Sequence, residues 1–554
     1  MKKTLVFILL LLSSSLTILS QELIPEFRIT PTVVGKIDRN LFGHFLERPS
    51  WGGEIGAEAA YLQNSDTLQA GIFPQLSQMQ IPVLRFPGGT DVDYLDWTTL
   101  VDNIPGREVK RPSKIRIKKD SVTTGFGYDD AGELCERLGA DMVLVVNLGD
   151  AYLKKKPIRQ AALEQAALLA YCLADTSKNL PYDLTRWAKL RALNGHLKPY
   201  PVKYVQIGNE PWFFDKTLHQ TNPIEKESVK HYMKCLKIYI DLFEKIAPNV
   251  KIIVDGNCLD LTNPLRVKFG NKIDYIAFHS YKPWSIKEVR KGEQIYPMDS
   301  LTQEEIWKCW ISVPNINKNG YSEFNEKILD NAIKSGYPIA ATEWNWNGWW
   351  AKSPLKHDTI GERFIKGVGA AGFLHALMRN GTAIPLAFQS MLIGNSWEIT
   401  SIRVSKNGAF APYMLPSGAI TALYSRNHGS DLLEIKNKNV PKYVQPYTMN
   451  GINASDGVAY LDVLATRAKS KLYLHIINRK FSGYSKLKIN LSELPQVYQM
   501  ATMRTITEKS NMPIMSDNQS IMSESESQLS IDSRKEIEIF LAPKSVSVVE
   551  FSMK

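Results

Sequence analysis

Two glutamates occupy positions from which a chain can do chemistry. Glu210 ends the run Val202, Tyr204, Val205, Ile207 inside Gly208-Asn209-Glu210-Pro211, and Glu343 follows Tyr337 to Thr342 and precedes Trp344, Asn345 and Trp346. Each closes a short strand-like segment preceded by a helical pattern. One strand-end glutamate alone is as easily a surface cap or an ion-pair partner. Two in corresponding positions, each beside an amide and a tryptophan, suit glycoside hydrolysis, in which one carboxyl protonates a leaving oxygen while the other attacks carbon or activates water.

Other strand ends carry further candidates. Glu47 ends the segment Asn40 to Glu47, and Ile81 to Phe86 contains Arg85 and stops at Pro87, Gly88 and Gly89. The glycines permit a tight backbone path, and Arg85 is suited to hold a carboxylate as a buried cation. Tyr94 and Trp97, in the long loop from Thr90 to Gly127, read as exposed rings for sugar stacking. Ile273 to Phe278 delivers His279, Ser280 and Tyr281, and Ala383 to Phe388 delivers Gln389. A strand-end histidine is more often a structural hydrogen-bonding residue than a proton donor.

Counted from Asn40, eight strand and helix repeats describe an α/β fold, a (β/α)8 TIM barrel, which sets its chemistry at the carboxyl ends of its strands. Beyond about Pro416 the pattern changes to short alternating strands, predicting a C-terminal antiparallel β-sandwich. The polar stretch Thr507 to Ser533 reads as a surface loop. The expected division is a signal peptide over 1–20, an N-terminal strand segment over 21–39 that joins the β domain, the barrel over 40–414 and the sandwich over 415–554.

Composition narrows the function classes. The chain has 554 residues and a formal charge of +11. Loss of Lys2 and Lys3 with the leader leaves about +9. The basic density from Arg107 to Lys119 has neither aromatic platform nor helical periodicity, so it predicts a solvated loop and no nucleic-acid site. The cysteines at 135, 172, 235, 258 and 309 are odd in number and widely spaced, which predicts buried thiols and neither a disulfide framework nor a metal cluster. With dispersed histidines, no metal and no cofactor are expected. Lys2 and Lys3, the apolar run Leu5 to Leu12 and the small exit Ser13 to Ser20 read as a secretory signal, predicting a secreted or periplasmic protein. No later segment reaches spanning length, so no integral membrane span is expected in the mature chain.

The segments Gly43, Phe45 and Glu47; Arg85 to Gly89; Tyr94 to Trp97; Gly208 to Glu210; His279 to Tyr281; and Glu343 to Asn345, in this order and spacing, resemble the retaining alpha-L-arabinofuranosidases of glycoside hydrolase family 51. The resemblance runs from Gly35 to the closing strand and implies a barrel carrying an all-β domain. It implies Glu210 as acid/base and Glu343 as nucleophile. Glu47, Asn209, Tyr281 and Gln389 would hold furanose hydroxyls, His279 and Arg85 would support the glutamates, and Trp97 would stack at the pocket. Thr90 stands where the family usually carries a sugar-binding Asn, and Pro211, Trp212 and Phe213 are bulkier than usual. The implied activity is exo-acting release of terminal arabinofuranose from arabinan, arabinoxylan or derived oligosaccharides, with plant polysaccharide as partner; a homo-oligomer is compatible with it. The alternatives are another retaining hydrolase of the same clan (a galactofuranosidase, xylanase or glucanase) and a carbohydrate-binding protein that has lost catalysis.

Overall fold

The computed structural model describes residues 23–553 apart from 48–55, 57–59, 62–67, 116–120, 123–124, 214, 216–226, 257–260, 283–284, 287, 298–299, 313–335, 347–348, 351–359, 396–398, 406–407, 450–451 and 510–521. The expected signal segment, Cys258, Trp284 and the helix read over 324–335 lie outside the described residues.

Eight strands close into a barrel: Gly43–Phe45, Val83–Phe86, Asp141–Val146, Val202–Ile207, Lys251–Asp255, Tyr275–Lys282, Ile339–Trp346 and Leu386–Gln389. Each strand pairs in parallel with the next, and Phe388 opposite Gly43 closes the ring. Side chains alternate between the two faces of a strand. Phe45, Val83, Val143, Tyr204, Ile253, Ala277, Ala340, Leu386 and Phe388 therefore fill the interior, while their neighbours Leu84, Leu144 and Val205 pack into the outer layer against helices. The apolar filling gives way two residues further along. On the same face, Arg85 follows Val83, Gln206 follows Tyr204 and His279 follows Ala277, so the carboxyl end of the barrel is polar where the rest is apolar.

The helices follow from their spacing. Glu227–Ile246 buries Val229, Tyr232, Leu236, Ile240 and Phe243, one stripe at three- and four-residue intervals. Glu343 lies inside its strand rather than past the end. A register irregularity between Ala340 and Glu343 places Glu343 opposite His279 of the neighbouring strand.

The second unit is one nine-stranded sheet in the order Met522–Ser530, Tyr498–Glu508, Ser545–Met553, Lys471–Asn478, Leu461–Arg467, Asp431–Lys438, Glu26–Lys36, Ser485–Asn490 and Glu536–Leu541. Residues from both ends of the sheet share a core. Phe27, Leu487, Ile489 and Ile539 come from one end, Leu474, Ile476, Val549 and Phe551 from the other. The sheet is mixed, because Glu26–Lys36 runs parallel to Ser485–Asn490. Two other features differ from the sequence reading. The chain past 414 first forms a helix, Pro416–Arg426, with Pro at its first turn. Met522–Ser530, within the stretch read as a loop, is an edge strand, mostly exposed and held by its ladder to Tyr498–Glu508 instead of by burial.

Barrel and sheet are locked by one buried carboxylate. Asp462, on Leu461–Arg467, accepts from Arg379 at the end of the helix Ile360–Arg379, between the seventh and eighth strands, and pairs with Arg479 at 3.1 Å, and His375 Nδ1 lies 3.1 Å away. Burial alone would raise the Asp462 carboxyl, but the charges of Arg379, His375 and Arg479 hold it well below the usual range. Its stabilisation is thus complete above about pH 4, the unfolded value, and lost as pH falls through the lower folded value. Asp462→Ala leaves two guanidiniums buried without their partner and is expected to cost about 3–5 kcal/mol. A thermal unfolding midpoint unchanged in Asp462→Ala would contradict this account of the junction.

Candidate active site

The polar end of the barrel is built around Arg85, which is fully buried. Its Nε donates to Gln206 Oε1 at 2.7 Å, Nη1 to Glu343 Oε1 at 3.0 Å and Nη2 to Asn209 Oδ1 at 2.6 Å. One guanidinium thereby ties the second, fourth and seventh strands together. The other oxygen of Glu343 accepts from the Tyr281 hydroxyl at 2.7 Å. Burial first, then the Glu343 charge, holds Tyr281 well above its ordinary value, so its hydroxyl remains a neutral donor. With each oxygen held from a different side, the Glu343 carboxylate has a fixed orientation.

Glu210 approaches from the fourth strand. His279 Nδ1 lies 2.7 Å from Glu210 Oε1 and 3.6 Å from Glu343 Oε2. Glu210, His279 and Glu343 each present an atom within 4.8 Å of the other two. They are also the one such donor group among the described residues close enough to share an ion. Arg85 at 3.0 Å from Glu343 sets a fixed positive charge against that use.

The backbone around the pair is constrained. Glu210 adopts φ +48, a left-handed conformation that costs a non-glycine residue about 1 kcal/mol. The loop is clipped in place by Asp93, whose carboxylate accepts from the backbone N–H groups of Asn209, Leu148 and Gly149 at 2.9, 2.7 and 3.0 Å. Burial pushes the Asp93 carboxyl up to about 6, against the pull of those three N–H groups. Gly89, at φ +68, admits no side chain: a Cβ there would stand 2.0 Å from Glu47 Oε1. Close approach to Glu47 is what this glycine provides.

Glu47, Arg85, Asn209, Glu210, His279, Tyr281 and Glu343 therefore meet at one end of the barrel, and Thr90 opens the 3-10 helix Thr90–Tyr94 directly after Gly89. Trp97 and Gln389 do not join them. Trp97 is 4% exposed and packs edge-to-face on Trp187 at 4.8 Å and at a tilt on Tyr171 at 6.0 Å, because its loop has turned outward over the helix Ile158–Leu173. Gln389 shares its side of the strand with Ala387, opposite to Leu386 and Phe388, which fill the interior. The next residue, Ser390, reaches the site, its Oγ 2.8 Å from the Tyr281 hydroxyl. Trp344 and Trp346 belong to the outer layer, Trp344 stacked on Phe373 and Trp346 donating to Trp310 O at 3.0 Å. Trp212 sets its ring edge-on to His279 at 5.7 Å. The basic loop is not simply solvated: Arg107 donates to Thr98 O at 2.7 Å, and Arg111 pairs with Asp102 and with Asp130.

The sequence reading missed Gln206, Asp93 and Ser390. Gln206 was detectable as a lone amide inside an apolar strand, on the face of Tyr204. Asp93 and Ser390 carry no comparable local signal.

His279 yields a prediction with a definite sign. Burial lowers its imidazolium, but the Glu343 charge and the bond to Glu210 outweigh this and raise it above its ordinary value. The stabilisation it gives is complete below about pH 6.5, the unfolded value, and is lost as pH rises through the folded value. The gap in thermal midpoint between the parent protein and His279→Gln should be widest below about pH 6.5 and close at higher pH. A gap that widens with pH is the contrary result.

Residues 75–291 match the family model described as the alpha-L-arabinofuranosidase 1 domain. The probable alpha-L-arabinofuranosidase C of Aspergillus terreus is 26% identical over 287 residues, 48% of this chain and 51% of that protein. An intracellular exo-alpha-(1->5)-L-arabinofuranosidase of Halalkalibacterium halodurans is 25% identical over 262 residues, 45% of this chain and 46% of that protein. The chain thus spans about half the length of these curated relatives. Over nearly its whole length the fold is that of the arabinose complex of alpha-L-arabinofuranosidase from Thermotoga maritima, with TM-score 0.68 at 22% identity over 96% of this chain and 100% of that one. The GH51 alpha-L-arabinofuranosidase from Thermotoga petrophila gives TM-score 0.68 at 23% identity, covering 95% and 99%. The matched domain and the relatives make the chain similar to alpha-L-arabinofuranosidases, and its two-part fold is shared with the GH51 enzyme.

Proposed function

We propose that the protein is a retaining, exo-acting alpha-L-arabinofuranosidase that releases terminal arabinofuranose from arabinan, arabinoxylan or their oligosaccharides. The observation that carries this reading is the approach of Glu210 and Glu343 to within 4.8 Å. Retaining enzymes hold their carboxyl groups about 5–5.5 Å apart, whereas inverting ones leave about 6.5–9.5 Å for a water.

In the first step Glu343 attacks the anomeric carbon as Glu210 gives its proton to the leaving oxygen, forming a glycosyl ester. In the second, Glu210 takes a proton from water, which displaces Glu343 with a second inversion. Arg85 and Tyr281 hold the two oxygens of Glu343 so that it meets the sugar without reorienting. His279 at 2.7 Å from Glu210 keeps the acid/base in reach of both partners. Glu47, Asn209 and Thr90 supply hydroxyl partners around the ring, and Thr90 contributes one hydroxyl in place of an amide.

The test is a panel of aryl furanosides and pyranosides. Cleavage of the alpha-L-arabinofuranoside is expected, and cleavage of pyranosides alone, or internal cutting of unbranched xylan, contradicts the reading. The leader-like residues Lys2 to Ser20 support export to the periplasm or medium, and cell fractionation tests this. Among the described residues no helix is long and apolar enough to cross a membrane.

A further inference from the structure

Outside the ring of strands, a cleft of about 680 Å³ is lined by Asp96–Thr98, by the start of the helix Ile158–Leu173 and by Tyr182, Arg186 and Trp187 at the helix Thr185–Leu193. Its volume lies in the range of ligand sites, and none of the residues around Glu210 and Glu343 lines it. Trp187 lines it with its indole Nε1 shielded from solvent and without a protein acceptor. Tyr182, 45% exposed, is held at φ +60, and its hydroxyl accepts from Arg159 at 3.0 Å. The guanidinium of Arg159 lies 5.4 Å from the Tyr182 ring, and that of Arg186 lies 5.3 Å from the Trp187 ring.

The polar groups of the cleft are unequally spent. Glu164 is taken by Lys156 at 2.5 Å, and Asp96 by the backbone N–H and hydroxyl of Thr98. Arg159 has no carboxylate partner among the described residues, and the ion-pair partner of Arg186 is Asp183 at 3.7 Å, with both side chains largely exposed. Flat aromatic faces beside surplus planar donors fit a ligand with apolar ring faces and many acceptor oxygens, some of them charged. A sugar chain bearing uronate groups has this chemistry. The cleft also adjoins the reacting site: Asp93 holds the backbone of Asn209 while Asp96, three residues on, lines the cleft. Three residues reach at most about 11 Å.

We propose that this cleft is a second carbohydrate-binding site, taking a short stretch of uronate-bearing glycan and so holding a polymer near the active site. Its identification as part of a polymer substrate rests on the reading of the activity above; its binding of glycan does not. The experiment is native electrophoresis of the full chain carrying Glu343→Gln through gels containing glucuronate-bearing arabinoxylan, with and without Tyr182→Asn and Arg159→Ala. Asn tolerates the left-handed backbone at 182, and equal unfolding midpoints confirm intact variants. Removal of one stacked ring and one donor should weaken the retardation about three- to tenfold. In the active chain the same pair of changes should leave aryl arabinofuranoside turnover within about twofold and lower kcat/KM on the polymer by a similar three- to tenfold. Undiminished retardation overturns the site, and equal retardation by neutral arabinan and by the uronate polymer overturns the charge preference. A chain that cleaves no furanoside yet is retarded in a Tyr182-dependent way keeps the cleft and removes the proposed activity.

Discussion

Glu343→Gln should lower turnover of an aryl alpha-L-arabinofuranoside on the order of 10⁴-fold or more while the protein stays folded. Glutamine keeps an oxygen for Arg85 and an amide beside the Tyr281 hydroxyl, so the buried guanidinium retains an acceptor. The carboxylate proposed to attack carbon is gone. Glu343→Ala should lose as much activity and be less stable than Glu343→Gln by about 1–3 kcal/mol, because the buried Arg85 then loses an acceptor as well as its countercharge. The two variants together separate chemistry from packing. A Glu343→Gln protein that retains a tenth of parental turnover would remove the nucleophile assignment.

The second large effect belongs to Glu210. Its removal to alanine should cost about 10²–10⁴-fold, the usual contribution of a positioned acid or base. The loss should depend on the leaving group. A nitrophenolate departs without a proton, so its first step survives; a sugar alkoxide does not. With the activated substrate, loss of the base leaves the second step slow, and a burst of phenolate followed by a slow steady state is expected. A uniform loss across leaving groups, with no burst, would contradict the acid/base role. His279 cannot substitute, because its side chain is only 5% exposed and its Nδ1 is committed to Glu210 at 2.7 Å.

Most of the fold was legible because it rests on local periodicity. The strands Lys471–Asn478, Ser485–Asn490 and Glu536–Leu541 coincide with the alternating runs that predicted them, and the eight barrel strands follow the eight apolar segments. Met522–Ser530 was missed because a polar strand held at a sheet edge by its neighbour has no hydrophobic alternation to read. The helix Pro416–Arg426 was missed because it is buried nearly all round and lacks the one-sided stripe of a surface helix.

The candidate site divides in the same way. Arg85, Glu210, His279 and Glu343 stood out because ionisable residues at the ends of apolar strands are costly anywhere but at a polar barrel mouth. Trp97 and Gln389 were misplaced for reasons the sequence does not display. The direction of a loop set the first, and one residue of strand parity decided between Gln389 and Ser390. Asp93 was invisible because its work is done on backbone N–H groups of two distant loops, which leave no residue-type signature.

The measurement that bears most directly on the central claim is the anomeric configuration of the first-formed sugar, followed by proton NMR during hydrolysis of an aryl alpha-L-arabinofuranoside. Carboxylate oxygens within 4.8 Å of one another match the close spacing of double displacement and fall short of the wider gap that an inverting enzyme keeps for its water. The account predicts the alpha anomer of arabinofuranose first, with the beta anomer appearing only as the sugar equilibrates. The beta anomer as first product would contradict it.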